Sequence, residues 1–152
     1  MRYWCILCLI FSFNSVFSQN QEQDEVKASI ATFFKGFHAQ DSVLIKSVLS
    51  SNVIMQRIGK DELGKVTIIP QKITDFLKSI VSIPKTMKFE EKILSYSIQI
   101  DGDMANAWTP YEFWRNDTFS HCGVNSFQLV KEGEIWKIIY IIDTRRKENC
   151  VQ

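Results

Sequence analysis

The chain has 152 residues, 45% of them hydrophobic and 23% charged. That length and balance fit one globular domain and exclude a disordered, collagen-like or low-complexity polypeptide. Lys plus Arg number 18 and Asp plus Glu 17, a net charge of +1, so no cationic excess exists to neutralise a nucleic-acid backbone.

The opening residues read as a secretory signal. Arg2 precedes an apolar run from Tyr3 to Phe13, and small and polar residues follow. Val16 and Ser18 stand three and one residues before a cut expected after Ser18. The run is shorter than the roughly 20 residues that cross a bilayer, so cleavage is expected rather than anchoring. Cys5 and Cys8 lie inside the run, with no small-residue box before either, which disfavours a lipoprotein. The mature protein is therefore expected to be secreted or periplasmic, with no membrane-inserted segment. It loses only Arg2 among its charges and keeps Cys122 and Cys150. Two cysteines in an oxidising compartment suggest one disulfide; two free thiols are the alternative.

Residues 19–22 are polar and read as a flexible lead-in to a domain at 23–146, with a tail at 147–152. Val26, Ile30, Phe33, Phe34 and Phe37 recur at helical spacing, which predicts a helix from about Gln23 to Ala39. His38 closes it, where a cation suits the helix dipole. Asp41 can cap a second, shorter helix through about Leu49. A short hairpin follows, Val53 to Arg57 and Lys65 to Ile69, and Pro70 opens a third helix over about Gln71 to Ser82. Lys88 to Asp101 reads as one long strand, with Asp101-Gly102-Asp103 as its turn. Met104–Arg115, Phe119–Lys131 and Glu134–Thr144 continue an antiparallel meander. Helices followed by consecutive strands make an α+β plan.

This order of elements resembles the NTF2-like superfamily, which includes SnoaL-like and ketosteroid-isomerase-like proteins. The Phe33-Phe34 helix, the stretch from Asp101 to Trp108, and Phe127 to Val130 with Gly133 to Ile138 carry the resemblance. Phe119-Ser120-His121-Cys122-Gly123 and Asp143 to Arg146 look like a subgroup of small secreted bacterial members. The resemblance implies a cone, with three N-terminal helices packed on a curved antiparallel sheet around a pocket, often in a homodimer. It does not choose among isomerases, cyclases, dehydratases and non-catalytic binding proteins.

Strand registers suggest which residues face that pocket. An Asn116-Asp117-Thr118 turn sets Phe113 opposite His121 and Tyr111 opposite Gly123. A two-residue Glu132-Gly133 turn sets His121 opposite Thr144, Phe127 opposite Ile138 and Leu129 opposite Trp136. One face then collects Tyr111, Phe113, His121, Asn125, Phe127, Ile138, Tyr140 and Ile142. Its apolar bulk with few polar groups suits a small-molecule pocket and is taken to face the helices. Ile141 and Asp143 fall on the other face.

His121 is the sharpest candidate, as a general base or a hydrogen-bonding group. Its alternative is a structural histidine bonded to Thr144 or Asp143. One extra residue in the last turn would set it opposite Asp143 as a His–Asp pair. Tyr111 could donate to a ligand carbonyl or be a half-buried strand aromatic. Asn125 and Tyr140 complete the polar set on that face. Arg57 could bind a carboxylate or be a solvated edge charge. Glu112 is the nearest acid to an isomerase-type base, yet its register points it away. No metal-ligand spacing occurs, and no motif implies a cofactor.

The leading expectation is a domain that binds a small, largely apolar molecule, as a homodimer. The alternatives are an isomerase-type enzyme using His121 as acid and base, and an interaction module using the outer face with Trp108 and Trp114.

Overall fold

A computed structural model describes the backbone of residues 4–150 and the side chains of residues 20–150. The apolar stripe of the first helix packs as its spacing requires. Val26, Ile30, Phe33, Phe34 and Phe37 are all buried on α1 (Trp4–Ala39). Residues 19–22, expected as a flexible lead-in, lie within this helix. Glu22 and Glu25 both pair with Lys131, at 3.6 and 3.4 Å, which ties the polar turn to the sheet. The proposed signal, residues 1–18, lies outside the residues whose side chains are described.

Asp41 caps α2 (Ser42–Ser47), its Oδ1 accepting from the Val43 and Leu44 amides at 2.9 Å. The two helices meet closely at Gly36, where a Cβ would stand 2.9 Å from the Ile45 side chain. β1 (Leu49–Lys60) and β2 (Val66–Gln71) form the first hairpin. Pro70 is tolerated in β2 because that strand is at the sheet edge. α3 (Ile73–Val81) follows and buries Leu77 and Ile80.

The long strand expected from Lys88 to Asp101 is two strands, β3 (Phe89–Ile93) and β4 (Ser97–Asp101), which both pair with β5 (Met104–Arg115). β6 (Thr118–Glu132) and β7 (Ile135–Asp143) complete the sheet, in the order β2-β1-β7-β6-β5-β3. β1 runs parallel to β7, so the sheet is mixed and not wholly antiparallel as expected.

Two registers position the site. Asn116 and Asp117, both at positive φ, make the β5–β6 turn, and Phe113 faces His121 and Tyr111 faces Gly123. The β6–β7 hairpin departs from expectation twice. Its turn is Gly133-Glu134, since Glu132 pairs with Ile135. Further along, Leu129 pairs with Ile138 but Gln128 with Tyr140, so Ile139 is an extra residue in β7. This bulge reverses the phase of the strand. Phe127 faces Ile141 and Asn125 faces Asp143. The expected pairings of His121 with Thr144 or Asp143, Phe127 with Ile138 and Leu129 with Trp136 do not occur.

Beyond β7 the chain stays beside β6, and Cys122 and Arg146 form a bridge. A disulfide joins Cys122 to Cys150, with Cα atoms 5.8 Å apart.

Candidate functional site

The helix-facing side of the sheet has a closed end and an open end. At the closed end Val26, Ile30, Ala105, Leu129 and Ile138 belong to one sealed core. At the open end a cavity of about 310 Å³ remains. Phe33, Phe34 and Phe37 of α1, Phe76 of α3, Phe113 of β5 and Phe127 of β6 wall it. The Phe76 ring is stacked against both Phe33 and Phe37, with centroids 6.1 Å apart in each pair. A surface hollow of about 410 Å³ beside Lys88, Trp114 and Asp117 is larger. Most of its side chains are exposed, and it lacks the aromatic enclosure.

The sheet's polar groups in the cavity come from six strands and the segment after β7. They are Arg57, Glu91, Arg115, His121, Asn125, Asp143 and Arg145, with Gln71. Arg57 and Asp143 are cross-strand neighbours, and Arg57 Nε donates to both Asp143 oxygens at 3.2 Å. Arg145 Nε donates to the same carboxylate at 3.4 Å.

Glu91 is the acid that the sequence reading missed. On β3 it stands in phase with Phe89 and Ile93, while Glu90 and Lys92 point to solvent. That alternation was the available signal: a carboxylate on the apolar phase of a strand. The Asn125 amide donates to Glu91 Oε1 at 2.7 Å. Burial pushes the carboxyl up to about 7, although the Asn125 hydrogen bond, Arg145 and Arg57 pull the other way. Glu91 looks into the cavity space, so its surface is only partly covered even though protein surrounds the carboxyl.

The backbone amide of Glu91 donates to His38 Nε2 at 2.9 Å. That nitrogen must be unprotonated to accept, so His38 is a neutral anchor and not the cation expected at the helix end. Burial lowers its pKa in the same sense.

His121 lines the cavity as expected. Its ring lies 4.8 Å from Phe113 in a stacked pair, and Nδ1 is 3.1 Å from Ser120 Oγ. Burial, then the charge of Arg145, holds its pKa down at about 4, so the ring is neutral at pH 7. Asp143 is in the same cavity but engages the arginines, so no His–Asp pair forms.

Arg57 and Asn125 also line the cavity; Tyr111 and Tyr140 do not. Tyr111 is on the correct face, but its hydroxyl donates to the Thr144 carbonyl at 2.9 Å. Gly123 permits this, because a Cβ there would lie 1.9 Å from that carbonyl oxygen. Burial raises the Tyr111 pKa, so it is a structural donor. Tyr140 points outward because of the Ile139 bulge, and its hydroxyl donates to Gln56 Oε1 at 2.6 Å. Ile142 turns out with it, and Ile141 and Asp143 take the inner places. Glu112 accepts from Trp114 Nε1 at 2.9 Å and does not line the cavity.

Among the described residues no His, Cys, Asp or Glu cluster could hold a metal ion, and no helix is long and apolar enough to cross a membrane. No protein-family model matches this chain. No curated protein matches it either. Solved structures do match. An NTF2-like protein of unknown function from Shewanella baltica is 18% identical, with a TM-score of 0.60, over 84% of this chain and 96% of its own. Another from Pseudomonas putida is 11% identical, with a TM-score of 0.67, over 82% of this chain and 87% of its own. A Streptomyces avermitilis protein of the NTF2-like family, described as a suspected dehydratase, is 9% identical, with a TM-score of 0.64, over 84% of this chain and 98% of its own. At these identities the likeness shows the fold: this chain has the NTF2-like fold.

Proposed function

We propose that this domain binds a small, largely apolar molecule in the aromatic cavity between its helices and its sheet. The observation that carries the reading is the cavity itself, about 310 Å³ walled by phenylalanines from both layers. Enclosed apolar space with a few convergent polar groups is the usual form of a small-molecule site. Titration with 4-phenyl-1-butanol, followed by NMR, tests it. Saturable binding at one site, with shifts at Phe33, Phe37, Phe76 and Phe113, is the expected result. A titration in which neither this alcohol nor the matching acid, 4-phenylbutyrate, moves any of these rings would overturn the reading.

Glu91 favours a second reading, an enzyme that moves a proton on such a molecule. A carboxyl with a pKa of about 7 can both give and take a proton near neutrality. It replaces His121 in that role, because an imidazole held at about 4 is a weak base. Under this reading Glu91→Gln abolishes turnover while the apolar probe still binds; full turnover in that variant would remove Glu91 from the chemistry.

The secreted or periplasmic location and the homodimer belong to the same proposal. Ile54, Met104, Trp108 and Ile135 are exposed on the outer face of the sheet and offer an apolar surface for a second copy. A sedimentation experiment that finds only monomer at high concentration would exclude the dimer. Mass spectrometry of protein from its own host would locate the mature start, expected at Gln19.

A further inference from the structure

The cavity's open end carries more guanidinium than its own acids neutralise. Arg57 uses only Nε on Asp143, and Arg145 also uses only Nε on that carboxylate. Both Nη groups of each remain unpaired among the described residues. Arg115 lines the same cavity and makes no hydrogen bond or ion pair among the described residues. Three permanent cations therefore share one ionised partner, Asp143. Glu91, the other acid in the cavity, holds its proton up to about pH 7 and offsets little below that. His121 is neutral and adds no charge of its own.

The positions of these groups matter as much as their number. Arg57 is 29% exposed and Arg145 48%, while Phe33, Phe34 and Phe127 are buried. The guanidinium groups thus sit toward solvent and the aromatic rings lie deeper. Asp143 holds two of the arginines by Nε, which leaves their terminal N–H groups for another acceptor. A planar two-oxygen group matches the fork of a guanidinium. Asp143 stands among these cations, so a monoanion is better tolerated there than a dianionic phosphate.

Resting on the apolar-pocket reading above, we infer that the ligand is an amphipathic carboxylate, its hydrocarbon among the phenylalanines and its carboxylate on Arg57, Arg115 and Arg145. The site is then selective by charge as well as by shape. It discriminates an acid from the alcohol or ester of the same skeleton.

Calorimetric titration with a matched pair, 4-phenylbutyrate and 4-phenyl-1-butanol, tests this at pH 6.0, where Glu91 still holds its proton. The acid is expected to bind at least roughly tenfold tighter, the size of a charge-assisted contact. That preference should shrink as salt is raised to about 0.5 M, because the rim is open to solvent. It should shrink severalfold in the Arg115→Gln/Arg145→Gln double variant, which leaves Arg57, still paired with Asp143, to hold the carboxylate. Equal affinity for the two probes, or a preference for the alcohol, overturns the carboxylate inference and leaves the apolar pocket standing. A preference that survives both salt and the double substitution overturns the arginine assignment. Binding of neither probe removes the pocket reading and this inference with it.

Discussion

The two ends of the helix–sheet sandwich are built from the same layers and behave differently. At the closed end the inner face of the sheet carries Ala105 and Ala107 with Leu129 and Ile138, and α1 answers with Val26 and Ile30. Small residues beside large ones let the layers interdigitate without space between them. At the open end both layers present phenylalanine, and the inner face adds Arg57, Glu91, His121 and Asp143. Rings facing rings, with charged groups at the rim, hold the layers apart. Filling favours stability, and keeping space open favours a ligand.

The largest expected effect lies at the closed end. Leu129→Ala should cost about 2–5 kcal/mol in denaturant unfolding, because a fully buried leucine leaves a cavity that its neighbours cannot fill. Phe76→Leu, on the wall of the open end, should cost less than about 1.5 kcal/mol, since space already adjoins it. Equal losses would erase the contrast.

Reduction of the Cys122–Cys150 bond comes next. Its loop spans 28 positions, for which chain entropy suggests about 3 kcal/mol. Hydrogen exchange should show the loss first at residues 144–150, beside the open end. Uniform loosening of both ends would show that the bond does not act locally.

A pH effect of about 3 kcal/mol should follow from Glu91. Its carboxyl ionises near 4.5 when unfolded and near 7 in the fold. Below 4.5 both states keep the proton, and the fold suffers no penalty. As pH rises toward 7 the unfolded chain releases it first, so stability falls. Glu91→Gln should remove that fall, leaving the variant more stable than the parent at pH 8 and equal to it near pH 4. His121 works in the opposite sense, because its folded pKa is lowered from 6.5 to about 4. Its contribution is complete above 6.5 and is lost as pH drops toward 4, and the Gln variant should keep that acid-side loss.

The smallest effect concerns His38. His38→Leu removes the acceptor of the Glu91 amide and should cost about 1–2 kcal/mol. The same change should alter the affinity of 4-phenyl-1-butanol if the anchor positions Glu91 against the cavity. Unchanged affinity would confine His38 to the fold.

The closed end was the more legible of the two in the sequence. The spacing of Val26, Ile30 and the phenylalanines set the helix and its inner stripe, and Asp41 marked the next start. The Asn116-Asp117 turn carried the β5–β6 register, so Phe113, His121, Asn125 and Phe127 fell on the helix-facing side. Those four residues wall the open end, and the rest of that end was less legible for two physical reasons. A bulge within the run Ile138-Ile139-Tyr140-Ile141-Ile142 leaves no mark when its neighbours are equally apolar. Glu91 follows a second glutamate, which disguises an inward acid as part of a polar stretch.

The extra residue Ile139 also bears on how such a site could arise. Were Ile139 drawn into the ladder opposite Gln128, the rest of β7 would present its opposite set of side chains to the cavity. Tyr140 and Ile142 would enter, and Asp143 would leave its arginines for the outer surface. A change of register that straightens the bulge, remote from every charged group at the rim, would thus exchange the chemistry of the cavity in one step, whereas loss of Ile139 itself would leave Tyr140 opposite Gln128.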